Sequence, residues 1–97
     1  MAHGSQVTKA TRAFKALSVE TRVRMVELLK GRALCVNALA RVLKITPAAV
    51  SQHLRVLRDS NLVVPDKRGY FVHYRVNEAT LAQWRELTDR LLRPPKA

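Results

Sequence analysis

The chain has 97 residues, enough for one small domain whose core is near the size where burial within a single chain is marginal. Eighteen Lys and Arg stand against seven Asp and Glu, a formal net charge of +11 that biases the molecule toward polyanions. The single cysteine, Cys35, excludes an intramolecular disulfide, and no apolar run approaches the length of a membrane span. The N-terminus lacks a charged-then-apolar signal pattern, so a cytoplasmic location is expected.

Residues 1–6 (MAHGSQ) are expected to be a disordered tail or an expression remnant, which leaves His3 out of any site. From there Val7, Ala10, Phe14 and Leu17 recur at intervals of three and four, making one apolar stripe on a short helix. Ser18 is in place as an N-cap for a second helix, with Glu20 in its first turn, where the helix dipole favours an acid. That helix carries Val23, Val26 and Leu29 and stops at Gly31.

Residues 33–35 read as a short strand, followed by a third helix with Val36, Leu39, Ala40 and Leu43 on one side. Only Lys44 and Ile45 precede the next restart signal, Thr46 as N-cap and Pro47 at the first helical position. Two helices joined so tightly cannot be coaxial, so this is a helix-turn-helix.

In the fourth helix Val50, Leu54 and Leu57 cluster within about 60° of one another, while Ala48, Ser51, Gln52, Arg55 and Asp59 fall at roughly 100–200° from Val50. Small and polar side chains at a helix start, with Arg55 and Arg58 farther along, fit entry into a DNA major groove, where hydroxyls and amides read base edges. His53 lies on the border of the apolar face and is expected to be packed and hydrogen-bonded.

The segment LVVPDKRGYFVHYRV has two strand-like runs around a charged turn, a β-wing with Lys67 and Arg68 near its tip. Tyr70, Val72, Tyr74 and Val76 alternate with Phe71, His73 and Arg75, the pattern of a hairpin with one buried face. Pro65 fits an edge strand, and Lys67 and Arg68 fit phosphate contact, with Arg68 within reach of a minor groove. Asn77 caps a last helix whose Leu81, Trp84, Leu87, Thr88 and Leu91 lie close to a heptad seam before Pro94 and Pro95 end it.

The fold class is therefore mainly α with a small β-hairpin, a winged helix-turn-helix of about five helices and a two-stranded wing over residues 7–93, with a C-terminal tail at 94–97. The stripes on the first and last helices (Val7, Ala10 and Phe14; Leu81, Trp84, Leu87, Thr88 and Leu91) are expected to meet a second subunit as a homodimer interface. The DNA-binding set is Thr46, Ala48, Ser51, Gln52, Arg55, Arg58, Lys67 and Arg68.

Catalysis is not expected: there is no Ser/His/Asp or Cys/His set on cleft loops, no glycine-rich phosphate loop with three glycines in the whole chain, and no HExxH or CxxC. No cofactor, metal or membrane partner is expected. The rival from another class is a nonspecific architectural DNA- or RNA-binding protein, for which charge and wing would suffice.

The element order, with ALCVNALARVLKITPAAVSQHLRVLRDSNLV and the following RGYFVHY, resembles the ArsR/SmtB family of bacterial winged-helix repressors over roughly residues 8–92. The most specific part is AVSQHLRVLRDSNLV. The resemblance implies a homodimer that binds an imperfect inverted repeat in a promoter, reads it with Thr46, Ala48, Ser51, Gln52 and Arg55, and leaves when an inducer binds. Arsenic- and cadmium-sensing members carry a CVC segment; here CVN keeps Cys35 and puts Asn37 in place of the second thiol. Zinc-sensing members use acids and histidines on the last helix, where this chain has Glu78, Glu86 and Asp89 but no histidine. Cys35 is then either a buried small residue or a lone thiol sensor acting through an intersubunit disulfide, a metal shared with His73, or an organic ligand.

Overall fold

The computed structural model describes residues 2–96, with side chains from residue 6 onward; residues 1 and 97 of the expected tails lie outside it. Five helices, α1 (Ala2–Ala16), α2 (Glu20–Leu29), α3 (Val36–Leu43), α4 (Pro47–Asp59) and α5 (Glu78–Leu92), surround a small sheet of β1 (Leu34–Cys35), β2 (Val63–Arg68) and β3 (Phe71–Val76). Because helix propagation adds one hydrogen bond per residue, α1 continues N-terminally past its apolar stripe, and the backbone of residues 2–6, expected as a tail, is helical.

The helix-turn-helix is built by local chemistry. Lys44 turns the chain out of α3 in the left-handed conformation (φ 57°), with its backbone N–H donating to the Ala40 carbonyl. Two residues later the Thr46 hydroxyl accepts a hydrogen bond from the Ala49 N–H at 3.1 Å, and Pro47 occupies the first helical position. The expected cap is thus formed, and it fixes where α4 begins.

The start of α2 differs from expectation. Its N-cap is Val19, without a side-chain cap bond, while the Ser18 hydroxyl donates to the Lys15 carbonyl at 2.8 Å and so closes α1 instead of opening α2. Serine hydroxyls serve either end of such a corner, and here the carbonyl behind it wins. In α2 it is Met25 that is buried with Val26 and Leu29, whereas Val23 is 40% exposed.

Met25, Leu29, Leu39, Val50, Leu57, Leu62 and Val63 form the centre of the core, all with under 2% exposure. Val50, Leu54 and Leu57 anchor α4, as their spacing predicts. Leu62 links α4 to the sheet: its N–H donates to the Leu57 carbonyl, and its own carbonyl accepts from Asn77 at 2.7 Å. Asn77 in turn caps α5 through the Thr80 N–H.

The sheet has three strands in the order β1-β3-β2, one more than the expected two-stranded wing, because Leu34 and Cys35 pair antiparallel with Tyr74 and His73. β2 is an edge, where Pro65 costs no ladder bond. Arg68 pairs with Phe71 across a two-residue turn, Gly69-Tyr70, with positive φ (63°) only at Gly69, the pattern of a type II′ hairpin turn. The expectation that one face of β3 is buried along its whole length is corrected: Val76 is buried, His73 and Tyr74 are half-buried, and Phe71 and Val72 are exposed. The hairpin outruns the body of the domain, so the alternation seen at the base, where Val76 is buried beside an exposed Arg75, fades toward the tip.

The molecule is elongated, 53 × 25 × 23 Å, with a radius of gyration of 15.0 Å. A compact chain of this length has a radius of about 13 Å. The excess comes from the protruding wing and from α1 and α5, which pack on one another.

Candidate nucleic-acid interface

The α4 cap sets the site. With Val50, Leu54 and Leu57 turned into the core, the opposite face of the same helix is delivered outward, and Thr46, Ala48, Ser51, Gln52, Arg55 and Arg58 are all exposed. The face begins with a hydroxyl, a methyl, a hydroxyl and an amide, side chains short enough to bring the helix backbone close to a surface, and the guanidinium groups follow toward the C-terminus.

Ser51, Arg55 and Arg58 line an open cleft of about 450 Å³ whose other walls are Leu54, Asp59 and Tyr74. Tyr74 belongs to β3, so this cleft is where α4 meets the base of the wing. Among the described residues, Lys44, Arg55, Arg58, Lys67 and Arg75 take part in no ion pair; the pairs formed are Lys30–Glu27, Arg68–Asp66, Arg90–Glu86 and Arg93–Asp89. The cations on and beside α4 therefore remain available to an anionic partner. Asp59 is the one acid lining the cleft, at its far end.

The wing is less simply arranged than its charge predicted. Lys67 is exposed, but Arg68 donates to Asp66 Oδ2 through Nε at 3.2 Å and Nη2 at 3.0 Å. Residues two apart on a strand share a face, so the acid and the base meet and the local charge of the tip is partly offset.

A connection that the spacing of residues did not reveal ties α4 to the N-terminal half. Arg22 donates from Nε to the Ala16 carbonyl at 2.6 Å and from Nη2 to the Lys15 carbonyl at 3.1 Å, satisfying carbonyls at the end of α1. Its Nη1 lies 3.4 Å from His53 Nδ1 on α4. A guanidinium can only donate, so Nδ1 is the acceptor and the ring proton sits on Nε2. His53 is thus the hydrogen-bonded border histidine that its helical position predicted.

Burial, and then the neighbouring Arg22 charge, hold the His53 pKa below its ordinary 6.5. Well above pH 6.5 the ring is neutral in folded and unfolded chain alike, and its contribution to stability is fully present. As pH falls from there through the folded-state pKa, the unfolded chain takes up the proton first and stability declines. Urea unfolding should therefore show a midpoint that drops as pH is lowered through 6.5. His53→Gln should lessen that drop, and an identical pH dependence in the variant would contradict this role.

At the other end, the residues expected at a subunit interface divide into three groups. Leu81 and Trp84 pack on the domain's own core, while Ala10, Leu87 and Thr88 are half-buried. Val7 (68% exposed), Phe14 (41%) and Leu91 (59%) are only partly covered within the chain. The residues α1 does bury are Ala13 and Ala16, whose small side chains let the helix lie close. A shallow depression of about 700 Å³ lined by Leu17, Leu81, Trp84 and Thr88 adjoins this face.

Cys35 is half-buried at the start of α3 and lies in register with His73, whose buried Nδ1 has no hydrogen-bond partner. Among the described residues no cluster of three or more His, Cys, Asp or Glu side chains is placed to hold a metal ion. No helix among them is long and apolar enough to cross a membrane.

A family model described as "Bacterial regulatory protein, arsR family" matches residues 20–64, the span from α2 through α4 into β2. The chain is 40% identical over 79 residues to the HTH-type transcriptional regulator Rv2034 of Mycobacterium tuberculosis, a match covering 81% of this chain and 74% of that one. It is 42% identical over 65 residues to the arsenical resistance operon repressor of Escherichia coli, covering 66% and 56% of the two chains. Its fold matches an ArsR-like transcriptional regulator from Rhodococcus sp. RHA1 with a TM-score of 0.80 at 28% identity, covering 90% of this chain and 82% of the other. The chain spans 56% of one of these curated relatives and 74% of the other.

Proposed function

Because this chain belongs to the arsR family of bacterial regulatory proteins and is a winged helix-turn-helix DNA-binding regulator, we propose that it acts as a homodimeric repressor that recognises an inverted-repeat operator and is released by an inducer. The observation that carries the reading is the exposed face of α4, Ser51, Gln52 and Arg55, set opposite a fully buried Val50–Leu54–Leu57 anchor. A helix held so firmly from behind can present an amide and a guanidinium to base edges without the cost of ordering its backbone on binding.

Arg58, Lys67 and Arg75, free of ion pairs among the described residues, supply phosphate contacts that position α4. Arg68 joins them only by loosening its hold on Asp66. The exposed Val7, Phe14 and Leu91 supply the contact between subunits, since a second copy would cover an apolar face that this chain leaves open. Two α4 helices related by a two-fold axis would meet half-sites about one helical turn apart. Cys35 has no second thiol in the chain, so a trivalent arsenical, which needs two or three thiolates, is not the inducer we propose.

The +11 charge favours one other reading, a nonspecific architectural protein. The two separate in a binding experiment that compares a duplex selected by the protein from a randomised pool with a scrambled duplex of equal length. A preference for the selected duplex that survives rising salt supports the operator reading. Equal affinities that collapse together with a steep salt slope support the architectural one.

A further inference from the structure

We propose that the wing tip is an apolar wedge, Tyr70 flanked by Phe71 and Val72, that enters the minor groove beside each half-site and makes affinity depend on how easily the flanking base step unstacks. The inference rests on the DNA-binding reading above. It starts from exposure: Tyr70 is 100% exposed, Phe71 62% and Val72 37%, the three in sequence at the point of the hairpin.

Hairpin geometry makes this placement unavoidable within the chain. Tyr70 is the second central residue of a two-residue turn, and the hairpin packs mainly against α2, α3 and α4, with Tyr74 sharing a cleft with Ser51 and Arg55 of α4. The tip therefore belongs to the α4 side of the molecule and not to the α1–α5 pair. Three apolar side chains on a projecting hairpin are an association hazard unless a partner covers them.

The register identifies the partner's chemistry. Lys67 pairs with Val72, and Arg68 pairs with Phe71, so each face of the tip carries one cation and one apolar side chain, with Tyr70 at the apex. A minor groove has the complementary form: phosphate walls, which Lys67, unpaired among the described residues, can meet, and between them sugar rings and base edges against which aromatic side chains lose their water. With Arg68 paired to Asp66, the apex itself is aromatic and close to neutral, as a wedge between base pairs must be. Side chains of this kind partly unstack a step, which is easiest at the pyrimidine–purine steps TA and CA/TG.

The test uses one pair of half-sites with a variable flank. The wild-type protein should bind duplexes with a TA step under the wing at least about tenfold tighter than the same half-sites flanked by a G·C run. In the double variant Tyr70→Ala, Phe71→Ala that flank preference should vanish, while the preference for the half-sites over a scrambled duplex stays. Tyr70→Phe should keep both. As a second readout, 2-aminopurine in the flank should brighten when the wild type binds and stay dim with the double variant. Both positions are exposed, so the substitutions leave the core intact. A flank preference absent in the wild type, or unchanged in the double variant, overturns the wedge. So does a double variant whose oligomeric state changes while its flank preference does not, which would make the tip a contact between copies. If the wild type does not distinguish half-sites from scrambled DNA at all, it is the DNA-binding reading that fails.

Discussion

Leu57→Ala is expected to destabilise the protein by about 2–5 kcal/mol, the range for truncating a buried leucine where the surroundings cannot collapse. Leu57 has 0% exposure, lies on the buried side of α4, and its carbonyl accepts the Leu62 N–H that starts the path into β2. The cavity would open in the core cluster that Leu57 shares with Met25, Leu29, Val50 and Leu62, each with no more than 1% exposure. Domains of this size have total stabilities of about 5–15 kcal/mol, so the loss is a large fraction of the whole. Urea unfolding should show a lower midpoint with an unchanged slope. A loss below about 0.5 kcal/mol, the usual limit for surface substitutions, would show that α4 is not anchored as described.

Gln52→Ala is expected to weaken binding to the selected operator by roughly 1–3 kcal/mol while leaving binding to scrambled DNA almost unchanged. The side chain is exposed and makes no hydrogen bond within the described residues, so its removal leaves the fold as it was. An amide can both donate to and accept from one adenine edge, and that bidentate match exists only on the correct base. Anisotropy titrations on both duplexes measure the difference. Equal losses on the two would mean that Gln52 contacts the backbone, and no loss on either would remove it from the interface.

The parts of this architecture that were legible in the sequence are those governed by chemistry within a few residues. Thr46 and Pro47 mark the start of α4 because the cap bond reaches only to Ala49, and the Val50–Leu54–Leu57 spacing alone decides which face is buried. Asn77 and Pro65 are legible for the same reason. What lay hidden depends on distant parts of the chain. The Arg22–His53 contact joins residues 31 apart, and nothing near either one announces the other. A short strand at residues 33–35 was legible, but its partner was not: the register that sets Cys35 against His73 joins it to the wing across 38 residues.

Other differences had a local signal that pointed two ways. Asp66 and Arg68 are both visible as tip charges, but only the strand geometry puts them on one face and joins them. On α1 the eye follows Val7 and Phe14, the larger side chains, whereas the domain buries Ala13 and Ala16. That helix carries two adjoining faces, one of small residues turned inward and one of large residues left outside. The proposed subunit interface uses the second of these.

The most direct test of the central claim, that α4 of a two-fold dimer reads bases in the major groove, is methylation interference at guanine N7 on the selected duplex. The account predicts two clusters of interfering guanines related by symmetry and centred about 10 base pairs apart, with Arg55→Ala changing the pattern in both. Binding that is indifferent to N7 methylation, and inhibited only by ethylation of phosphates along the duplex, would contradict it.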